Sequence, residues 1–275
     1  MDEEVNGNPV LKYIDAWKVF DHIISGLLLE WHEETDLRMI ITRNFFSKSA
    51  MLVRSIFTLW DIKAFQECHI LYRCLVERLF YLNKLFSENS FETYEEWSFM
   101  KQYDFFARVR ADGRYKAQTD KLAPITETAK LRRAELRKKN VQWKEPKAKD
   151  IANSLGRDYL YLYGYDYSSM HIHPMANDGL QDYETVTTLR SGENFPSHET
   201  VLRNSLLVFW LLISDTLKHL NAIVSPTLNH FLVSYFENLE KDSQEYWIFY
   251  YQLIEMHKAK IPWFTLPTAS QNDKD

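Results

Sequence analysis

Apolar residues recur every three or four positions along most of this chain, and the places where that rhythm breaks divide it into helices. From about residue 10 to 33, Leu11, Ile14, Trp17, Phe20, Ile23, Leu27 and Trp31 have the spacing of an amphipathic helix, with Pro9 suited to its first turn. After Asp36, the row Met39, Ile40, Phe45, Phe46, Leu52, Ile56 and Leu59 predicts a second helix through about Trp60. Phe65, Cys68, Leu71, Leu75, Leu79 and Leu82 predict a third over about 61–87. A fourth is predicted over about 90–110, opened by a capping signal at Asn89 and Glu92 and ended at Asp112-Gly113.

The rhythm then changes. From Lys121 to Lys149 core-type residues thin out while Lys130, Arg132, Arg133, Arg137, Lys138, Lys139, Lys144, Lys147 and Lys149 accumulate, which predicts a solvated helix followed by a loop. Helices return at about 147–155 and 157–173, the second stopped by Pro174. Residues 174–196, with Gly179, Gly192 and Pro196, read as a long loop with a short strand at 184–188. Ser197 then caps a strong helix predicted over about 198–224, followed by helices at about 226–240 and 243–259 and a tail. The expected fold class is all-α, a multi-helix bundle with a long loop insertion after the 157–173 helix. It is read as a single domain over 1–275, with a first helical half at 10–110, a basic solvated segment at 120–150 and a second helical half at 157–260.

Composition narrows this further. Hydrophobic residues make up 45% of 275 positions and only 7 Gly and 8 Pro interrupt them, so the chain can bury a large core built of long helices. The net charge of −5 and pI near 6.0 exclude a global polycation, so any attraction to nucleic acid is local. The longest apolar run, Leu206 to Ile213, is well short of the roughly 20 residues that cross a bilayer, and no membrane span is expected. Met1 to Pro9 has neither the basic nor the apolar region of a secretory signal, and Cys68 and Cys74 sit in an apolar helical row as small hydrophobes of a reducing compartment, so the expected location is cytoplasmic. The aromatic share of 15% suggests a homo-oligomer.

The chemistry concentrates in Tyr163-Gly164-Tyr165-Asp166-Tyr167-Ser168-Ser169-Met170-His171-Ile172-His173-Pro174. Tyr165, Ser169 and His173 lie four residues apart, so on a helix they form one polar stripe that drifts by only about 40° per step. Burying such side chains costs free energy unless partners satisfy them. Arg73-x3-Glu77, set among Ile70, Leu71, Leu75 and Leu79, supplies suitable partners on another helix, where the two charges can compensate each other across the bundle interior or form an ordinary surface pair. Together these residues hold a titratable base, a fixed cation, a carboxylate and two hydroxyls. The set suits acid/base catalysis and equally a buried hydrogen-bond ladder that fixes helix register. His171 projects about 200° away from His173 on a continuing helix, so the His-x-His pair is not a metal chelate. There is no Glu-x-x-His, Cys-x-x-Cys, glycine-rich phosphate loop or nucleophile elbow, and no metal or other cofactor is expected.

An early Arg73-x3-Glu77 on an apolar helix combined with a later Tyr165-x3-Ser169-x3-His173-Pro174 resembles an uncharacterised all-helical bacterial family, a domain of unknown function, over roughly residues 40–225. Some of its members are plausible phage-defence proteins. More distantly the chain resembles the HEPN superfamily of helical bundles, whose members often dimerise and act as metal-independent ribonucleases. Their motif, an Arg followed by a polar residue and with four to six residues between the Arg and a His, is not matched: seven residues, Pro196 among them, separate Arg190 from His198. The resemblance implies a defence or toxin-type ribonuclease in which His173 is acid or base, Arg73 stabilises phosphate charge, and Glu77, Tyr165 and Ser169 complete the site. Lys130, Arg132, Arg133, Arg137, Lys138 and Lys139 are the candidate RNA-binding cations. The alternative is a noncatalytic interaction or sensor module with a protein partner in a defence system.

Overall fold

A computed structural model of the chain describes residues 9–115, 121, 124–141, 143–172, 176, 179, 183, 186–187, 199–226, 228–230, 233–234, 246–260 and 264–265. It is the all-α bundle that the apolar spacing predicts. Its elements are α1 (Pro9–Glu30), α2 (Leu37–Asp61), α3 (Phe65–Ser87), α4 (Phe91–Ala111), α5 (Glu127–Lys139), α6 (Ala148–Ser154), a π-helix (Leu160–Asp166) running into an α turn (Tyr167–Ser169), α7 (Glu199–His219) and α8 (Tyr246–Lys258). The chain divides into two compact units, residues 1–83 with 147–275, and residues 84–146.

The larger unit is organised around α1, α2 and α7. Asp36 starts α2, its carboxylate accepting the Met39 N–H at 3.2 Å. From there α2 packs on α7, and Phe45, Phe46, Leu52, Val53 and Ile56 of α2 and Val201, Leu202, Leu206, Phe209 and Ile213 of α7 are all buried. Burying each such side chain favours folding by about 1.5–3 kcal/mol. Phe209 packs on Trp17 and Phe20 of α1 with ring centroids 5.8 and 6.2 Å apart. Arg54 of α2 grips Asp21 of α1 with bonds of 2.6 and 2.8 Å, and Arg43 caps the end of α1 by donating to the Trp31 and His32 carbonyls. By length and composition α7 is apolar enough to cross a bilayer. Just over half of that apolar window, 56%, is buried inside the structure.

Three details differ from the periodicity. The segment expected as an α-helix over 157–173 is a π-helix between Leu160 and Asp166, as the Tyr167 N–H bond to the Leu162 carbonyl shows. The helix expected to reach 224 stops at His219: Asn221 takes the left-handed conformation at φ 50°, and Ile223–Val224 instead pairs antiparallel with Phe264–Thr265, in the predicted tail. Of the strand expected at 184–188, residues 184, 185 and 188 lie outside the described residues, while Val186 is helical and the Thr187 N–H donates to the Tyr183 carbonyl. Ser197 and most of the 174–196 loop lie outside the described residues.

The smaller unit is an α4/α5 pair. Asn89 does not cap α4; it sits at φ 46°, and Ser90 holds the cap position without a side-chain bond. Thr126 does cap α5, accepting the Ala129 N–H at 3.1 Å, and Asn140 closes it at φ 53°. Trp143 folds back on Tyr94 and Trp97, with centroids 5.0 and 4.4 Å away. Only Leu136 of α5 is buried.

Candidate functional site

In the larger unit α3 lies against the π-helix, and Gly164 makes the contact close. A Cβ there would meet the Tyr72 hydroxyl and Val76 Cγ2, each at 3.2 Å. Leu160, Gly164 and Ser168 form the buried stripe of this segment. The neighbouring stripe, Tyr161, Tyr165 and Ser169, is half-buried and carries the polar groups.

Arg73 of α3 reaches into that stripe. Its Nε–H donates to Ser169 Oγ at 2.9 Å and its Nη2 to Tyr165 Oη at 2.6 Å, while the guanidinium carbon lies 4.3 Å from the Tyr165 ring centroid. Ser169 in turn donates to the Tyr165 carbonyl one turn back, at 2.6 Å. The spacing argument thus joins Arg73, Tyr165 and Ser169. It errs on the compensation of charge: among the described residues no carboxylate, Glu77 included, ion-pairs with Arg73. Glu77 is half-buried, one turn along α3. His173 lies outside the described residues.

Two imidazoles that the stripe argument passed over stand beside this cation. His69, one turn before Arg73, stacks on His171 with centroids 5.1 Å apart and planes at 21°. Tyr167 meets both rings edge-on at 5.4 and 5.5 Å. The available signal was the row His69, Arg73, Glu77, three residues at four-residue spacing on one helix face. Tyr72, buried beside Gly164, has its phenol pushed well above the ordinary range by burial, with Tyr159 adding to the effect. Cys68 is also buried; desolvation, then the Glu67 charge, raise its thiol to about 12.

A second polar network escaped the sequence reading altogether. Arg157 pairs with Asp215 of α7 through bonds of 2.6 and 2.9 Å, and Asn83 donates to the same carboxylate at 2.9 Å. His219 Nε2 lies 3.3 Å from Asn83 Oδ1. The outer face of the π-helix segment is a ridge of exposed apolar side chains: Tyr159, Leu162, Tyr163, Tyr167 and Met170.

The basic helix α5 is tied to its own unit. Arg132 pairs with Glu95, Arg133 with Asp104 at 2.8 Å and Lys139 with Glu96 at 2.5 Å, all on α4, and Lys130 pairs with Glu127 at 2.6 Å. Arg137 and Lys138 are exposed and have no ion pair among the described residues. No group of three His, Cys, Asp or Glu side chains among the described residues stands close enough to hold a metal.

The model of a protein family described as "Family of unknown function (DUF5677)" matches residues 39–185, from the first turn of α2 past the Tyr165/Ser169 segment. The chain belongs to this family. The match takes in Arg73, Glu77, Tyr165, Ser169 and His173 and the whole of the smaller unit. It ends before α7, short of the span to about 225 suggested by the motifs. No curated protein and no solved structure matches the chain.

Proposed function

We propose that this chain is a HEPN-like defence or toxin-type ribonuclease that cleaves RNA without a metal, with the Arg73 site as its active centre. One observation carries the reading: Arg73 is a half-buried cation held by two hydroxyls and an aromatic face, and among the described residues no carboxylate ion-pairs with it. Buried charges are normally paired, and the remaining guanidinium N–H donors suit a phosphate. Neither Tyr165 nor Ser169 is the nucleophile in this reading, since both hydroxyls are engaged in holding Arg73. The attacking group is the RNA 2′-hydroxyl. An imidazole takes its proton, the new bond to phosphorus gives a 2′,3′-cyclic phosphate, and the departing 5′-oxygen takes up a proton. His173, the next four-residue step after Ser169, is the proposed base, and Arg73 stabilises the charge that builds on the phosphate oxygens.

The test is incubation of wild type, His173→Ala and Arg73→Ala with total RNA in the presence of a chelator, alongside thermal unfolding. Cleavage by wild type alone, with His173→Ala folded, is the expected result; retained cleavage by folded His173→Ala overturns it. The closed hydrogen-bond chain Arg73–Ser169–Tyr165 favours a second reading, a noncatalytic interaction or sensor module, in which these substitutions lower stability and no activity exists to lose. In either case we place the protein in the cytoplasm as a homo-oligomer, with the exposed Tyr159–Met170 ridge as the contact face.

A further inference from the structure

The smaller unit, residues 84–146, carries 14 Lys and Arg against 10 Asp and Glu, a net charge of +4 in a chain whose total is −5. The rest of the chain is therefore at −9, and positive charge is concentrated in the α4/α5 pair. On α5 much of it is neutralised: Arg132, Arg133 and Lys139 are paired to carboxylates of α4. On α4 the situation is reversed. Lys101 and Arg108 are both exposed and have no ion pair among the described residues.

Phe105 stands between them on the same face, four residues after Lys101 and three before Arg108. It is 54% exposed, its neighbour Phe106 is 43% exposed, and the two rings meet edge to face at 5.6 Å. Lys101 and Arg108 line an open groove of about 630 Å³ together with Trp97, Asp104 and Arg133, the Lys101 ammonium lying 5.6 Å over the Trp97 ring, and Phe106 lines a second of about 440 Å³ with Phe99 and Tyr103. Both rings thus keep about half of their surface in water. Alternating with unpaired cations, they match what a single-stranded nucleic acid requires: π-faces for unstacked bases and positive charge for the phosphates between them.

We propose that this face of α4 binds single-stranded RNA, with bases stacking on Phe105 and Phe106 and phosphates held by Lys101 and Arg108. The proposal rests on RNA being the substrate and moves its recognition from the basic helix α5, where the sequence suggested it, to the exposed side of α4. Charge complementarity selects the occupant: Lys101 and Arg108 have no ion pair among the described residues, the groove's carboxylate, Asp104, is paired with Arg133, and every base offers a stackable surface whatever the sequence.

The experiment is fluorescence anisotropy with a labelled 2′-O-methyl oligouridine, which binds as RNA does but has no free 2′-hydroxyl to react. The variants Phe105→Ala/Phe106→Ala, Lys101→Ala/Arg108→Ala and, as a control, Lys48→Ala are compared with wild type, with circular dichroism confirming the fold. Loss of the two phenylalanines is expected to weaken binding by at least about tenfold. Loss of the two cations is expected to reduce the slope of log affinity against log salt by about 1.4, at roughly 0.7 per phosphate. Lys48→Ala, which removes an exposed cation of the larger unit, is expected to bind within about threefold of wild type. No binding by wild type, or equal binding by wild type and the α4 variants, overturns the proposal. Binding with these dependences by a wild type that cleaves no RNA overturns the ribonuclease reading and leaves this one standing.

Discussion

Arg73 and Tyr165 meet twice: the guanidinium donates to the phenol oxygen at 2.6 Å and lies 4.3 Å from the centre of the same ring. One tyrosine thereby offers both an acceptor and a π-face to a single cation, and Ser169 fixes the third side through Nε. This arrangement needs a planar, forked donor. Lysine has one point of charge and cannot reach a hydroxyl on each side while lying on the ring.

Arg73→Lys is therefore expected to keep the fold and lose the site. Urea denaturation should show a loss of about 1–2 kcal/mol, the value of hydrogen bonds to a charged group partly replaced. RNA cleavage should fall at least about a hundredfold. A lysine variant with wild-type activity would show that only charge matters at this position.

What was legible in the sequence was whatever depends on near neighbours. The bounds of α1 to α4 follow from apolar residues three and four apart, and Tyr165 and Ser169 share a face because four-residue spacing forces it. Partners were harder. Arg157 and Asp215 are 58 residues apart, and nothing in either local pattern marks them as a pair. The charge run in α5 looked available to a ligand because its counter-charges, Glu95, Glu96 and Asp104, are read on a different helix. The π-helix was invisible for the same reason: it lies where Gly164 meets Tyr72 and Val76 of α3.

That contact makes Gly164 a sensitive position. In Gly164→Ala the new methyl must displace Tyr72 and Val76, both buried, and a loss of about 1–2 kcal/mol is expected, within the range for overpacking a core. Tyr72→Phe removes the hydroxyl at 3.2 Å, so the double variant should recover part of the loss. Additive losses in chemical denaturation would place the strain elsewhere.

Asp215 anchors the second network, and its side chain and that of Arg157 are 17% and 19% exposed. Asp215→Asn leaves the guanidinium without its counter-charge and also disturbs the Asn83 bond. The expected cost is about 3 kcal/mol, the low end for removing one partner of a buried pair, because the site is not fully dry. Thermal and urea unfolding would measure it. Near-neutral behaviour would mean that solvent already screens the pair.

Acid should weaken the fold through two histidines whose pKa is lowered in the native state. His219 has its pKa lowered, chiefly by burial, with Lys218 adding to and Asp215 opposing the shift. His22 is lowered too, by burial and then by His257, against the pull of Asp21. An imidazole depressed in the native state takes up its proton at higher pH in the unfolded chain, near 6.5. Between the two values the unfolded state binds more protons, so stability rises with pH. The contribution is fully present above about 6.5 and is lost as pH falls through the native values. Melting temperature should accordingly drop between pH 7.5 and 5, and His22→Gln/His219→Gln, neutral at every pH, should flatten that part of the curve. An unchanged slope in the double variant would assign the acid sensitivity to other groups.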